Sequence, residues 1–218
     1  MLTGVEFKWA NNKELNPKCK YLFLGTFTSS GKNKEDEARE LYYYTSSSNH
    51  FWYLVDSIFI DSLSQVDFSG MSCADIKKAI EEKGCFANLI KELKDTEINK
   101  RDQIRQKIRK MLNEQSYDIC DLFKIVGTHI GAKNSDSNIK GVGTETKLNE
   151  LYKLITPNFQ KIYCTSKRVE ELLLKHFPRF KGKTEVLIAP TTGRAVKLDV
   201  KIEDWRKKLT VVKISQDY

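Results

Sequence analysis

No apolar run in this chain approaches the roughly 20 residues needed to cross a bilayer. The longest, residues 21–24 and 51–60, are short or broken by polar side chains, so no membrane association is expected. The opening residues Met1-Leu2-Thr3-Gly4-Val5-Glu6 lack a basic stretch followed by an apolar one, and no secretory signal is expected from them. Cys-x-x-Cys pairs are missing too. The five cysteines (Cys19, Cys73, Cys85, Cys120, Cys164) are odd in number and widely spaced, and His50, His129 and His176 stand far from most of them. That pattern argues against a disulfide framework or a structural zinc site, and leaves the thiols as small buried hydrophobes in a reducing cytoplasm. No repeat, low-complexity segment or linker interrupts the 218 residues, which predicts one domain over 1–218.

What the chain does have is charge, unevenly placed. Hydrophobic residues make up 40% and charged residues 30%, an ordinary globular balance, with a formal net charge of +8. Residues 161–218 hold 14 Lys/Arg against 7 Asp/Glu, so nearly all of the excess lies in the last quarter. One face or end of the fold is expected to be positive and suited to a polyanion. Many basic proteins bind no nucleic acid, so charge alone does not name the partner.

Residues 20–25 run apolar into a glycine and predict a buried strand entering a hydroxyl-rich loop at 26–31. The charged stretch 32–39 reads as a solvated segment. Residues 51–60 are too long and aromatic for one strand and predict a helix with Trp52, Val55, Ile58 and Phe59 on one face. Ser72 followed by Asp75 has the form of a capping box and opens a helix to about Glu82. Ile90, Leu93, Ile104, Ile108, Met111 and Leu112 predict one or two amphipathic helices within 88–115. Residues 116–121 predict a second strand at a sheet edge, followed by a Gly/Asn/Ser-rich loop at 127–143. After it come a helix at 146–155, a strand at 161–165, a helix at 168–176, a strand at 185–189 and a closing helix at 201–209. Strands alternating with helices predict the α/β class with a largely parallel sheet. Ligands of such sheets bind beyond the carboxyl ends of the strands, which singles out residues 25–30, Cys120-Asp121, Thr165-Ser166 and residues 190–194.

The densest chemical signal is Tyr43-Tyr44-Thr45-Ser46-Ser47-Ser48-Asn49-His50-Phe51-Trp52, polar and hydroxyl groups running into an aromatic pair at a helix start. Alone it reads as a Ser/Asn-rich cap followed by core aromatics. Around it, in order, stand Leu22-Phe23-Leu24-Gly25-Thr26-Phe27, then Cys120-Asp121, Ser135-Asp136-Ser137-Asn138-Ile139, Ile188-Ala189-Pro190-Thr191-Thr192 and Trp205-Arg206. This ordered set, from about 21 to 209, resembles the uracil-DNA glycosylase superfamily, most nearly its hypoxanthine-DNA glycosylase branch, family 6. That branch carries Tyr-Tyr-x-His-Pro-Arg-Asn-x-Phe-Trp at the corresponding place.

The resemblance implies a three-layer αβα fold around a central, mostly parallel four-stranded sheet. It also implies a monomeric, cytoplasmic, monofunctional DNA glycosylase that needs no metal or other cofactor. Such an enzyme flips a deaminated base, uracil or hypoxanthine, out of DNA and hydrolyses its N-glycosidic bond. The catalytic role falls on Asn49, whose amide would orient water or base rather than abstract a proton. The base pocket falls on Gly25, Thr26, Phe27, Tyr44, Phe51 and Asp121. Stacking on Phe51 would offset part of the cost of flipping, at about 1–3 kcal/mol per base. DNA contacts fall on Thr191, Thr192, Gly193, Arg194 and Lys197, with Lys201, Arg206, Lys207 and Lys208 following as phosphate contacts. Plainer alternatives stand beside these: a strand-to-loop turn at Gly25, a cap at Asp121, a surface Arg194 and a solvated helix face for the lysines. His50 is expected to be packed or exposed rather than catalytic, and no lysine holds a pocket position suited to Schiff-base chemistry. Three departures separate the chain from the branch. Ser46-Ser47-Ser48 replaces His-Pro-Arg, Thr28-Ser29 replaces the Pro-Gly after the first strand, and Thr192-Gly193-Arg194 replaces Ser-Pro-Ala after the last. They bear on which base is accepted and on whether excision survives. A glycosylase-fold protein that binds nucleic acid or nucleotide without cutting is therefore the first alternative, and a small-molecule enzyme on a similar sheet the second.

Overall fold

Leu22, Phe23 and Leu24 expose no surface at all. An unbroken apolar run of this kind is what a strand buried on both faces of a parallel sheet requires. In the computed structural model it forms β2, Tyr21–Gly25. The structure describes residues 2–6, 15–26, 28–29, 41–46, 49–122, 125–129, 159–191 and 196–210, with the backbone alone at 2–6, 28–29 and 125–129. The expected segments at 32–39 and 146–155, and Ser135-Asp136-Ser137-Asn138-Ile139, lie outside the described residues.

The remaining strands are β1 Leu2–Glu6, β3 Thr28–Ser29, β4 Tyr117–Asp121, β5 Ile125–His129, β6 Lys161–Cys164 and β7 Thr184–Val186. The α-helices are α1 Phe51–Phe59, α2 Asp61–Ser64, α3 Cys73–Lys83, α4 Phe86–Asp95, α5 Arg101–Glu114, α6 Lys167–His176 and α7 Leu198–Lys208. The chain clusters into two compact units, Met1–Ser46 with Tyr117–Leu187, and Ser47–Ser116 with Ile188–Tyr218.

The first unit holds both sheets. Four parallel strands lie in the order β4-β2-β6-β7, so the protein is of the α/β class with an all-parallel four-stranded sheet. Side chains alternate across a strand, and Tyr21 and Phe23 therefore share one face with Tyr117 and Tyr163. Ring centroids of Phe23 and Tyr117 are 4.9 Å apart, those of Tyr117 and Tyr163 5.8 Å, and both pairs stack. Buried Asp118 accepts from the N–H of Asn16 at 2.8 Å and so ties the chain ahead of β2 to β4. α6 begins at Ser166, whose side chain accepts from the N–H of Val169.

The second sheet, in the order β1-β5-β3, corrects the expectation of a loop from residue 127. Gly127–His129 belongs to β5, which pairs antiparallel with β1 and parallel with β3. Residues this short and glycine-bearing carry no apolar alternation, and the pairing partner rather than the local sequence makes them a strand. The last parallel strand is also displaced: β7 ends at Val186, not at Ala189. The N–H of Ile188 goes to Asp204 at 3.0 Å and its carbonyl accepts from the Trp205 indole at 2.8 Å, so no ladder bond is left for it to make.

The second unit is helical. α1 is buried nearly all round, with Tyr53 alone half-exposed among its nine residues. Its Asp56 has no exposed surface, and it accepts from the N–H groups of Cys85, Phe86 and Ala87 at 2.7–2.9 Å, capping α4 from a neighbouring helix. Of the one or two amphipathic helices expected within 88–115 there are two, α4 and α5, with Ile90, Leu93, Ile104, Ile108 and Leu112 buried. α7 starts a turn earlier than expected, at Leu198. Its Trp205 is fully buried against Phe51, with centroids 5.5 Å apart. Fully burying a side chain of this size stabilises the unit by about 1.5–3 kcal/mol.

Candidate functional site

In the first unit, the carboxyl ends of β4, β2 and β6 lie level, because Gly25 pairs with Asp121 and Leu24 with Cys164. The chain leaves these ends with its backbone still engaged: Leu122 N–H donates to Gly25 O at 2.8 Å and Thr165 N–H to Leu24 O at 3.0 Å. Strand order reverses its sense between β2 and β6, and crevices at such switch points are where open α/β sheets bind ligands. The Tyr44 hydroxyl and the Thr165 hydroxyl sit 3.2 Å apart there.

Gly25 shows how closely these groups converge. A Cβ added to it would collide with the Tyr44 hydroxyl oxygen and with Asp121 Oδ1. A phenol and a carboxylate therefore both address the bare α-carbon, and glycine is required by space rather than by backbone conformation. Tyr44 holds φ at 57°, in the left-handed region that a bulky residue adopts only at a cost of about 1–3 kcal/mol. Thr26 and Asp121 are each 5% exposed. Beside them Tyr43 is buried, and burial, reinforced by the charges of Cys120 and Asp121, holds its phenol well above the ordinary value. It stays protonated.

The second unit carries the rest. Asn49 forms an isolated antiparallel bridge with Thr191, and the His50 N–H donates to Pro190 O at 2.8 Å. The Asn49 side-chain oxygen accepts the N–H of Phe51 at 2.9 Å, bracing the start of α1. That leaves its amide N–H groups as the half-buried donor end.

Of the expected site residues, the structure brings Gly25, Tyr44 and Asp121 together, with Thr26 next in the chain. Asn49 and Thr191 form a second group. Phe27, Thr192, Gly193 and Arg194 lie outside the described residues. Phe51 is corrected. Its ring is 0% exposed, wedged edge-on between Trp52 at 4.9 Å and Trp205 at 5.5 Å, so the stacking face expected of it is taken up by the core.

Two of the expected phosphate contacts on α7, Lys201 and Arg206, are corrected as well. Lys197 is exposed, but Lys201 is 2% exposed and donates to the Thr191 carbonyl. Arg206 spends its guanidinium on the carbonyls of Ser57, Leu63 and Val66. Lys207 pairs with Glu203 and Lys208 with Asp204, both at 2.6 Å. A count of charges could not reveal this; position could. Lys201 falls on the apolar stripe of Leu198, Ile202 and Trp205, one helical turn apart, and that spacing was the signal for a buried lysine. His50 is packed, as expected, at 5% exposure. Burial, with Lys77 and Lys201 nearby, pushes its imidazole down to about 4.

Among the described residues no group of three or more His, Cys, Asp or Glu side chains is placed to hold a metal ion, and no helix is long and apolar enough to cross a membrane. Comparisons with protein-family models, with curated proteins and with solved structures find no match.

Proposed function

We propose that this chain is a monofunctional DNA glycosylase of the three-layer uracil-DNA glycosylase type, which hydrolyses the N-glycosidic bond of uracil or hypoxanthine in DNA. One observation carries the reading: the Tyr44 hydroxyl and the Asp121 carboxylate converge on bare Gly25 at the carboxyl ends of adjacent parallel strands. Deamination turns an amino group into a carbonyl and puts an N–H beside it, so uracil and hypoxanthine offer a donor next to an acceptor. A carboxylate such as that of Asp121 complements the ring N–H that deamination creates, whereas cytosine and adenine present an acceptor at that position. The ordered sequence resemblance adds Asn49, whose free amide end suits it to orient a water or to stabilise the departing base anion.

The test is excision. Purified protein is incubated in EDTA with labelled duplexes bearing uracil or hypoxanthine, and abasic sites are then cleaved with alkali. Breaks are expected on at least one of the two, and Asn49→Ala should lower the rate by about 10²–10³-fold, the usual loss for one positioned donor. The buried Phe51 ring favours one second reading, a protein of this fold that grips nucleic acid or nucleotide without cutting. Salt-sensitive DNA binding without breaks on any damaged base would select it. Absence of both breaks and binding at low salt would overturn both.

A further inference from the structure

Packing alone does not ask for a lysine at position 201. Lys201 lies on the buried stripe of α7 with Leu198, Ile202 and Trp205, and its side chain is almost wholly covered. The ammonium donates to the Thr191 carbonyl, and among the described residues no carboxylate pairs with it. A buried ammonium compensated by one carbonyl is costly, and an apolar side chain of similar length would pack at less cost. A charge kept at such a position points to use rather than to stability.

The use is suggested by what Lys201 holds. On one face of α7, at i, i+3 and i+4, Lys201, Asp204 and Trp205 all grip residues 188–191. Trp205 donates to the Ile188 carbonyl at 2.8 Å, Asp204 accepts the Ile188 N–H at 3.0 Å, and Lys201 takes the Thr191 carbonyl. That segment in turn holds Asn49. Thr191 is the partner of Asn49 in the antiparallel bridge, and the bond of the bridge runs from the His50 N–H to the Pro190 carbonyl. The Thr191 carbonyl is therefore left for Lys201. The Asn49 side-chain oxygen is taken by the Phe51 N–H at 2.9 Å, and its N–H end is the part that can meet a ligand. The charge of Lys201 is felt here: burial, then Lys77 and Lys201, push the imidazole of His50, the next residue, down to about 4. All of these groups belong to the second unit.

We propose that Lys201 is a positioning residue for Asn49: through Thr191 it fixes where the carboxamide stands, and its buried charge favours an anion at the carboxamide's N–H end. The inference rests on the glycosylase reading, in which that anion is the departing base. As the N-glycosidic bond breaks, its electron pair leaves with the base nitrogen. A positive charge already fixed in a poorly solvated place lowers the energy of that state without reorganisation.

Magnetic resonance and excision kinetics on the full chain test it together. At neutral pH the nitrogen signal of Lys201 Nζ in the unmodified protein should be that of an ammonium, and a neutral amine there would overturn the proposal. Lys201→Gln removes the charge but keeps a donor for Thr191, whereas Lys201→Met removes both. In either variant His50, still facing Cys73, Tyr53 and Lys77, is expected to titrate about one pH unit or more higher. On duplexes bearing uracil or hypoxanthine, kcat should fall about tenfold or more with KM within about twofold, and Lys201→Arg should recover most of the loss. An unmoved Trp205 indole signal, from the N–H that holds Ile188, reports that a variant is folded. If none folds, the Nζ signal of the unmodified protein decides alone. If the unmodified protein excises neither base, the glycosylase reading fails, and the Asn49 side-chain amide signals judge Lys201. Their displacement in folded Lys201→Met would uphold the positioning role, and coincident signals would overturn it. Unchanged kcat in folded Lys201→Gln, or His50 titrating as before, would overturn the proposal.

Discussion

At Gly25 a single methyl group is enough to force two side-chain oxygens aside, and this makes the strand-end cluster testable without any ligand. Gly25→Ala is expected to lower stability by about 1–3 kcal/mol, the range for overpacking a filled site. Tyr44→Phe removes the hydroxyl nearest the new Cβ and also its bond to Thr165, costing about 1 kcal/mol alone. The double variant should cost less than the two singles together, because one of the two collisions has gone. Urea midpoints of the four proteins give the coupling. Strict additivity would mean that the Tyr44 hydroxyl does not stand over Gly25. The left-handed backbone of Tyr44 belongs at this scale too. No residue type near it in sequence called for φ of 57°.

Elements were legible where a local signal decided them and illegible where a partner did. Ser72 and Asp75 announced α3, and in the structure Ser72 Oγ accepts the Asp75 N–H at 3.2 Å while donating to its carboxylate at 2.6 Å. β2 announced itself as an apolar run, and β4 and β6 were expected as strands close to where they lie. α4 did not announce its start, since its cap is Asp56, some thirty residues earlier and on another helix. β1, β3 and β5 are strands because of each other. The end of β7 was misplaced because Asp204 and Trp205 capture Ile188 from α7. The same division applied to the candidate site. Gly25 and Asp121 were reachable from the rule about strand ends, whereas the burial of Phe51 and the internal pairing of the α7 cations depended on packing that composition does not encode. The two caps should therefore differ in weight. Ser72→Ala removes one acceptor at an exposed helix start and is expected to cost about 1 kcal/mol. Asp56→Ala strands three N–H groups, two of them buried, and should cost about 3 kcal/mol or more. Chemical denaturation ranks them, and equal losses would deny that Asp56 holds α4 in place.

At the scale of the molecule, Asp56 and His50 set opposite dependences on pH over one window. Burial pushes the Asp56 carboxyl up to about 6, against the pull of the three N–H groups it accepts, so the folded chain keeps a proton that the unfolded chain has released. Stability from this group falls as pH rises from about 4 to 6. Burial, then Lys77 and Lys201, push His50 down to about 4, so the folded chain has lost a proton that the unfolded chain still holds below its ordinary 6.5. Stability from this group falls as pH drops from about 6.5 to 4. Each shift is about two units, at most about 3 kcal/mol apiece, and the two slopes nearly cancel. Removing either group should expose the other. His50→Gln is expected to become less stable as pH climbs from 4 to 6, while Asp56→Asn should become more stable over the same climb. The groups facing His50 (Cys73, Tyr53, Lys77 and Lys201) remain in the second variant, and its slope reports the imidazole against that positive surrounding. Urea midpoints measured at half-unit steps of pH decide the matter: variants whose slopes share a sign would show that at least one of these two groups is not buried in the charge state its surroundings impose.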